Sequence, residues 1–89
     1  MRNILIVDDE QSMCDFLSIL LEGEGYSVQS TCNPKAAVTL VESGAEIHMV
    51  MTDLKMPEMD GIQVLERVKQ VNSEILVIMI TAFATTENA

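Results

Sequence analysis

Four short apolar runs alternate with three helix-like segments along this chain, and that alternation restricts the fold more than any other feature. The runs are predicted strands: Asn3 to Val7, Tyr26 to Ser30, Ile47 to Thr52 and Ile75 to Ile80. Strands that alternate with helices predict an α/β fold, in which a parallel sheet carries helices on both faces. A length of 89 residues allows one domain at most.

The segments between the strands carry apolar residues at helical spacing. The first begins at Glu10, and its predicted inward face contains Met13, Phe16, Leu17 and Leu20. Asn33 and Pro34 supply a cap and a first-turn proline for the second helix, and Asp60 can cap the third. The residues expected to face inward on these two helices are Ala37, Leu40, Val41, Val64, Leu65, Val68 and Val71.

Composition excludes several kinds of protein. Fourteen acidic residues against five basic ones give a formal net charge of −9, which favours cations or basic partner surfaces and argues against direct nucleic-acid binding. The N-terminus leads at once into a short apolar strand, too short for a signal peptide, and no apolar run approaches the ~20 residues of a membrane span. The sequence therefore predicts a cytoplasmic protein that makes no membrane contact.

Cysteine usage agrees with that location. Cys14 and Cys32 have neither CxxC spacing nor a histidine cluster nearby. We expect both to be buried or half-buried free thiols, and not a disulfide or a metal site.

Acidic residues follow two of the predicted strands. Asp8 and Asp9 come directly after the first strand, and Asp53 follows the third. If these strands are parallel neighbours, the carboxylates meet at the C-terminal edge of the sheet, where open α/β sheets place their chemistry. Clustered like charges raise one another's pKa, so the cluster makes physical sense mainly around a hard divalent cation such as Mg²⁺.

Phosphoryl transfer to a carboxylate suits this arrangement. Asp53 is the candidate nucleophile, since a carboxylate can attack a phosphoryl group and give an acyl phosphate when a metal shields the charges. Asp8 and Asp9 are candidate Mg²⁺ ligands, one of them through water, and the Lys55 carbonyl could add a further oxygen. Thr81 ends the fourth strand and would place a hydroxyl beside the phosphoryl oxygens, where it would report the modification.

Each of these residues also has an ordinary structural explanation. Asp8 and Asp9 can cap the first helix and interact with its dipole. Asp53 can be a turn residue, and Thr81 can be a β-branched strand residue. Their joint occurrence at three strand ends of one predicted sheet favours the site over these separate explanations.

Three segments resemble the signatures of the receiver domain of two-component response regulators. They are Leu5-Ile6-Val7-Asp8-Asp9-Glu10, Asp53-x-x-Met56-Pro57-x-Met59-Asp60-Gly61 and Ile78-Met79-Ile80-Thr81-Ala82. The resemblance implies a flavodoxin-like (CheY-like) doubly wound parallel sheet with strand order 2-1-3-4-5.

The resemblance also implies a function. Asp53 is then the phosphoacceptor of a phosphorelay, a sensor histidine kinase is the donor, and the modification switches an output activity such as transcription regulation. A receiver of this kind is not classed as an enzyme. The other implied roles are Mg²⁺ ligands at Asp8, Asp9, Asp53 and Lys55, a switch at Thr81, and phosphoryl-binding backbone amides at Leu54 and Ala82.

The end of the chain refines these expectations. The segment Ile80-Thr81-Ala82-Phe83-Ala84-Thr85 is similar to NtrC-like transcriptional activators, which implies an output domain on the same longer chain or on a downstream protein. Receivers have a fifth strand that ends in Lys-Pro and then a final helix, and this sequence, up to Ala89, has neither. Residues 1–89 are therefore expected to form a receiver domain that is incomplete at its C-terminus and associates as a homodimer or through its edge strand.

Two other functions stay open at this point. One is a phosphorylation-independent interaction domain, in which the acidic cluster is a relict. The other is a small Mg²⁺-dependent phosphohydrolase with an aspartyl nucleophile. The haloacid-dehalogenase type of phosphohydrolase places Asp-x-Asp after its first strand, whereas adjacent acids stand there in this chain. Reaction with a small phosphodonor separates the three, because an enzyme turns over and a relict does not react.

Overall fold

The computed structural model describes residues 2–80, in which strands and helices alternate strictly. The elements are β1 (Asn3–Val7), α1 (Gln11–Gly23), β2 (Ser27–Thr31), α2 (Pro34–Glu42), β3 (Met49–Asp53), α3 (Gly61–Val71) and β4 (Leu76–Ile80). The strands form one parallel sheet in the order β2-β1-β3-β4, which confirms the predicted α/β architecture. Among residues 2–80, no helix is both long enough and apolar enough to cross a membrane.

The core has two layers, one on each face of the sheet. Because successive strand residues point to opposite faces, Leu5 and Val7 of β1 face one layer, and Ile4 and Ile6 face the other. The first layer joins the sheet to α2 and α3 through Ala37, Val38, Val41, Val50, Val64 and Val68. The second joins the sheet to α1 through Cys14, Leu17 and Leu21. Helices therefore cover both faces, as the alternation predicts.

Side-chain caps fix where two helices begin. The Asn33 side chain accepts hydrogen bonds from the backbone N–H groups of Lys35 and Ala36, and Pro34 occupies the first turn of α2. Asp60 and Gln63 form a reciprocal capping box at the start of α3, with bonds of 2.9 and 3.0 Å. Both predicted caps are confirmed. The Asp60 cap fixes the start of α3 at the end of the short loop that follows β3.

The predicted inward face of α1 is partly wrong. Phe16 is 61% exposed and Leu20 is 51% exposed, whereas Cys14 is fully buried against β1. Apolar residues lie on most sides of this helix, since Ile19 and Leu21 lie beside the predicted set, and spacing alone does not select the buried side. Val71 is also more exposed than predicted, because it is the last residue of α3.

The outer edge of β4 leads to a first prediction. Within the part of the chain that the structure describes, β4 pairs only with β3, and its residues Leu76 and Ile78 are substantially exposed. An unpaired apolar edge favours strand pairing between molecules. We expect light scattering by the 89-residue polypeptide to show self-association that grows with concentration and decreases in Ile78→Lys. A parent chain that stays monomeric at every concentration would contradict this.

Candidate functional site

Parallel pairing brings three carboxylates to one end of the sheet. Val7 of β1 lies opposite Thr52 of β3, so the residues that follow these positions leave the sheet side by side. One carboxylate oxygen from each of Asp8, Asp9 and Asp53 lies within 4.8 Å of the others. The structure thus places together the three acidic residues that the sequence singles out.

The three side chains have different surroundings. Asp8 is only 4% exposed, Asp53 is half-buried, and Asp9 is exposed. The Asp8 carboxylate accepts a hydrogen bond of 3.0 Å from the Glu10 backbone N–H, and the Asp8 N–H donates to the Thr31 carbonyl at 3.2 Å. Hydrogen bonds to the start of α1 and to the end of β2 therefore hold Asp8 in place, whereas Asp9 faces solvent.

Burial and mutual repulsion perturb two of these groups. Burial raises the pKa of Asp8 above its ordinary value, and the neighbouring charges of Asp53 and Asp9 add to the rise. Burial also raises the pKa of Asp53, although the backbone N–H groups of the next two residues oppose it. The ionised cluster is thus unfavourable without a positive charge nearby, and three convergent hard oxygen atoms fit a divalent cation such as Mg²⁺.

A close contact between α3 and the end of β3 fixes the backbone at Asp53. The Gly61 N–H donates to the Leu54 carbonyl at 2.8 Å. A Cβ at Gly61 would lie 3.0 Å from the Leu54 Cα, 2.9 Å from the Met79 sulfur, and closer still to the Asp53 carbonyl oxygen. Only glycine allows this approach. The Asp-Gly pair is visible in the sequence, but the contact that requires glycine appears only in the structure.

Two further anchors shape the loop between β3 and α3. The Met59 side chain is buried in the core layer that faces α2 and α3. Glu58 has a left-handed backbone with φ of 71°, and the Met59 N–H donates to the Pro57 carbonyl at 2.7 Å. A non-glycine residue in this conformation is uncommon, so the tight turn depends on the packing of Met59 beside it.

Four other residues have predicted roles at the site, and the structure describes two of them, Leu54 and Lys55. Lys55 is exposed two residues after the end of β3, and the role of its carbonyl as a metal ligand stays a prediction. The Leu54 N–H donates to the Ile80 carbonyl at 3.2 Å, so it would have to share or leave that bond to contact a phosphoryl group. Thr81 and Ala82 lie outside the described residues.

Magnesium binding provides a second prediction. At an Mg²⁺ concentration about 100 times its Kd, the free energy of unfolding should rise by ~2.7 kcal/mol, because the ion binds the folded chain. Asp9→Asn should weaken this binding with little effect on the apo fold, because Asp9 is exposed. Calorimetry and thermal melts measure both effects, with Asp15→Asn on α1 as the control. If Asp9→Asn binds Mg²⁺ as tightly as the parent does, Asp9 is not a ligand.

Comparison with known proteins identifies the family. The sequence profile described as the response regulator receiver domain matches residues 4–89. This chain belongs to the response regulator receiver family. Membership places the receiver in two-component phosphorelay signal transduction.

Two relatives are named as regulators. The receiver is 38% identical over 87 residues to the transcriptional regulatory protein ZraR of Salmonella typhimurium, a match that covers 98% of this chain and 20% of ZraR. It is 35% identical over 82 residues to the response regulator SaeR of Staphylococcus aureus, covering 92% of this chain and 35% of SaeR. The receiver therefore spans about a fifth of the length of ZraR and a third of the length of SaeR.

Solved structures confirm the flavodoxin-like fold of the receiver. A response regulator receiver domain protein from Clostridium thermocellum superposes with a TM-score of 0.85 at 29% identity, over 100% of this chain and 71% of that one. The response regulator TrrA from Thermotoga maritima, solved in complex with Mg²⁺-BeF, gives 0.87 at 26% identity, over 99% of this chain and 76% of that one.

Proposed function

We propose that this receiver accepts a phosphoryl group on Asp53 from a sensor histidine kinase and thereby switches an output activity, namely transcription regulation. The observation that carries the proposal is the convergence of Asp8, Asp9 and Asp53 at the ends of β1 and β3, with one oxygen of each within 4.8 Å of the others. Names of relatives such as ZraR and SaeR support regulation as the output.

The same carboxylates would hold Mg²⁺, with the Lys55 carbonyl as a further ligand. When bound, the ion shields the negative charges of Asp53 and of the incoming phosphoryl group. Two properties of the site support this assignment: the donors are hard oxygen atoms, and burial raises the pKa of Asp8 and Asp53. Asp8 is suited to be a fixed ligand because the Glu10 N–H holds its carboxylate.

Asp53 is suited to be the nucleophile. Its backbone is fixed by the contact with Gly61, whereas its carboxylate is only half-buried and lies beside those of Asp8 and Asp9. In the transfer, a carboxylate oxygen of Asp53 forms a bond to phosphorus as the bond between phosphorus and the donor's histidine nitrogen breaks. The product is an acyl phosphate, and the donor histidine is released for another cycle.

The readout would come from neighbours of the modified residue. The backbone amides of Leu54 and Ala82 would donate to the phosphoryl oxygens, and the Thr81 hydroxyl would bond them and shift a two-state surface. The output lies with a further domain of an NtrC-like longer chain or with a downstream protein, in the cytoplasm. A net charge of −9 favours such protein partners over direct contact with nucleic acid.

Replacement of the switch residue gives a third prediction. Thr81→Ala should leave the extent of labelling by acetyl phosphate within about twofold of the parent but weaken the downstream response, because a methyl group cannot bond the phosphoryl oxygens. Labelling and transcription are measured in parallel in the longer protein, with Thr81→Ser as the variant that keeps the hydroxyl. Loss of labelling in Thr81→Ala would place this residue in the transfer chemistry and not in the readout.

Incubation with acetyl phosphate and Mg²⁺ tests the proposal against its rivals. A receiver should accumulate a stable covalent label, and removal of Mg²⁺ should suppress it. A phosphohydrolase would release inorganic phosphate continuously and hold little label. A phosphorylation-independent interaction domain would do neither, and either of these two results would overturn the proposal.

A further inference from the structure

The thiols of Cys14 and Cys32 lie next to each other although the residues are far apart in sequence. The Cys14 thiol is within 3.7 Å of the Thr31 carbonyl oxygen, which belongs to the peptide unit that leads into Cys32. The Cys32 thiol in turn donates to the Gln11 side chain at 3.2 Å, one helical turn before Cys14 on α1. Cys32 also packs against the core layer around Cys14. Both residues are free cysteines.

The two thiols differ in access. Cys14 is fully buried, whereas Cys32 is partly exposed and lines a cavity of about 160 Å³ that it shares with Asp9 and Pro57. That cavity has room for a small oxidant, since one water molecule occupies roughly 30 Å³ in the liquid. The Cys14 thiol, by contrast, is enclosed in the core and donates a hydrogen bond to the Asp8 carbonyl at 3.4 Å.

We propose that Cys14 and Cys32 form a reversible disulfide that links α1 to the segment between β2 and α2, with Cys32 as the residue that hydrogen peroxide attacks first. Redox-sensitive cysteines are accessible to solvent and often lie next to a second, resolving cysteine, which is the arrangement of Cys32 and Cys14. The assignment does not depend on phosphorylation of Asp53.

The chemistry balances in two steps. The Cys32 sulfur attacks one peroxide oxygen, an S–O bond forms, the O–O bond breaks, and the departing hydroxide takes the Cys32 thiol proton and leaves as water. The Cys14 sulfur then attacks the Cys32 sulfur, the S–S bond forms, the S–O bond breaks, and the departing hydroxide takes the Cys14 proton and leaves as a second water. The two sulfur atoms are oxidised and the two peroxide oxygens are reduced. A dithiol reductant reverses the bond by exchange.

Formation of the bond requires only local changes. Cys32 must give up its contact with Gln11, and Cys14 must give up its weak bonds to the Asp8 and Thr31 carbonyls. The Thr31 carbonyl keeps the stronger bond from the Asp8 N–H. Thiol hydrogens are weak donors, so the loss of these contacts is a small obstacle to a covalent link.

Treatment of the reduced chain with hydrogen peroxide at low protein concentration tests the proposal. Mass spectrometry should show the loss of two hydrogen atoms, a linked peptide pair containing Cys14 and Cys32, and recovery of both thiols with dithiothreitol. In Cys32→Ala, the Cys14 thiol should be lost at least roughly tenfold more slowly, because no accessible partner delivers the oxidation. Cys32→Ser is a second variant in case the first folds poorly.

Three results would overturn the proposal. Cys32 could gain oxygen while Cys14 keeps its thiol, which would show that the buried residue does not resolve the intermediate. Disulfide-linked dimers through Cys32 could appear in place of the intrachain bond. Cys14 could also be oxidised equally fast in the parent and in Cys32→Ala, which would make the two thiols independent.

Discussion

Asp53→Asn is expected to abolish covalent labelling by acetyl phosphate or by a cognate kinase, with a loss of at least roughly 100-fold. An amide is a very weak nucleophile and cannot replace the carboxylate that forms the acyl phosphate. Labelling is measured from the mass of the intact protein in the presence of Mg²⁺. Because the substitution also removes one of three repelling charges, the apo fold should be retained or slightly stabilised.

Asp60→Asn is the matched control for this variant. Asp60 is another acidic residue near the site, and its side chain caps α3. Asparagine caps helices about as well as aspartate, so the control makes the same chemical change without loss of the cap. It should label like the parent. Full labelling of Asp53→Asn would show that Asp53 is not the phosphoacceptor.

Gly61→Ala should lower the free energy of unfolding more than any other substitution proposed for this chain. The added Cβ would collide with the backbone of Asp53 and Leu54, which cannot move without separation of α3 from β3. We expect a loss of about 3 kcal/mol in the free energy of unfolding, at the upper end for an overpacked site. For a chain of this size that corresponds to a fall in Tm of roughly 15 °C, measurable by thermal denaturation. Labelling of Asp53 should slow as well, because the same contact holds its backbone.

Gly23→Ala separates this clash from a general effect of replacing glycine. Gly23 ends α1, and a Cβ there would meet nothing within 4 Å. This variant should be neutral or more stable by about 0.5 kcal/mol, because alanine restricts the unfolded chain. Equal melting temperatures for the two variants would show that the contact between α3 and β3 is unimportant.

Periodicity and caps explain why most of the fold could be predicted. β1 has the bounds that its short, continuous apolar run predicts, and Asn33 and Asp60 mark helix starts that the structure confirms. The buried side of α1 could not be predicted in the same way. Phe16 and Leu20 are as apolar as Leu17, and the position of the helix over the sheet decides which of them is covered.

Some features of the candidate site can likewise be predicted from the sequence, and others appear only in the structure. Convergence of Asp8 and Asp53 follows from sequence because neighbouring parallel strands end at one edge of a sheet. The difference between buried Asp8 and exposed Asp9 depends on packing against β2 and α1, which no local pattern contains. The same is true of the contact that requires Gly61 and of the proximity of Cys14 to Cys32. These features depend on distances between segments that are remote in sequence.

The position of the phosphoryl group on the modified chain tests directly whether Asp53 is the phosphoacceptor. The chain is treated with acetyl phosphate and Mg²⁺, the acyl phosphate is trapped by borohydride reduction, and the reduced residue is identified by peptide sequencing in a mass spectrometer. We expect a single reduced residue at Asp53, and none when Mg²⁺ is withheld. Reduction at Asp8 or Asp9, or equal labelling without Mg²⁺, would contradict this expectation.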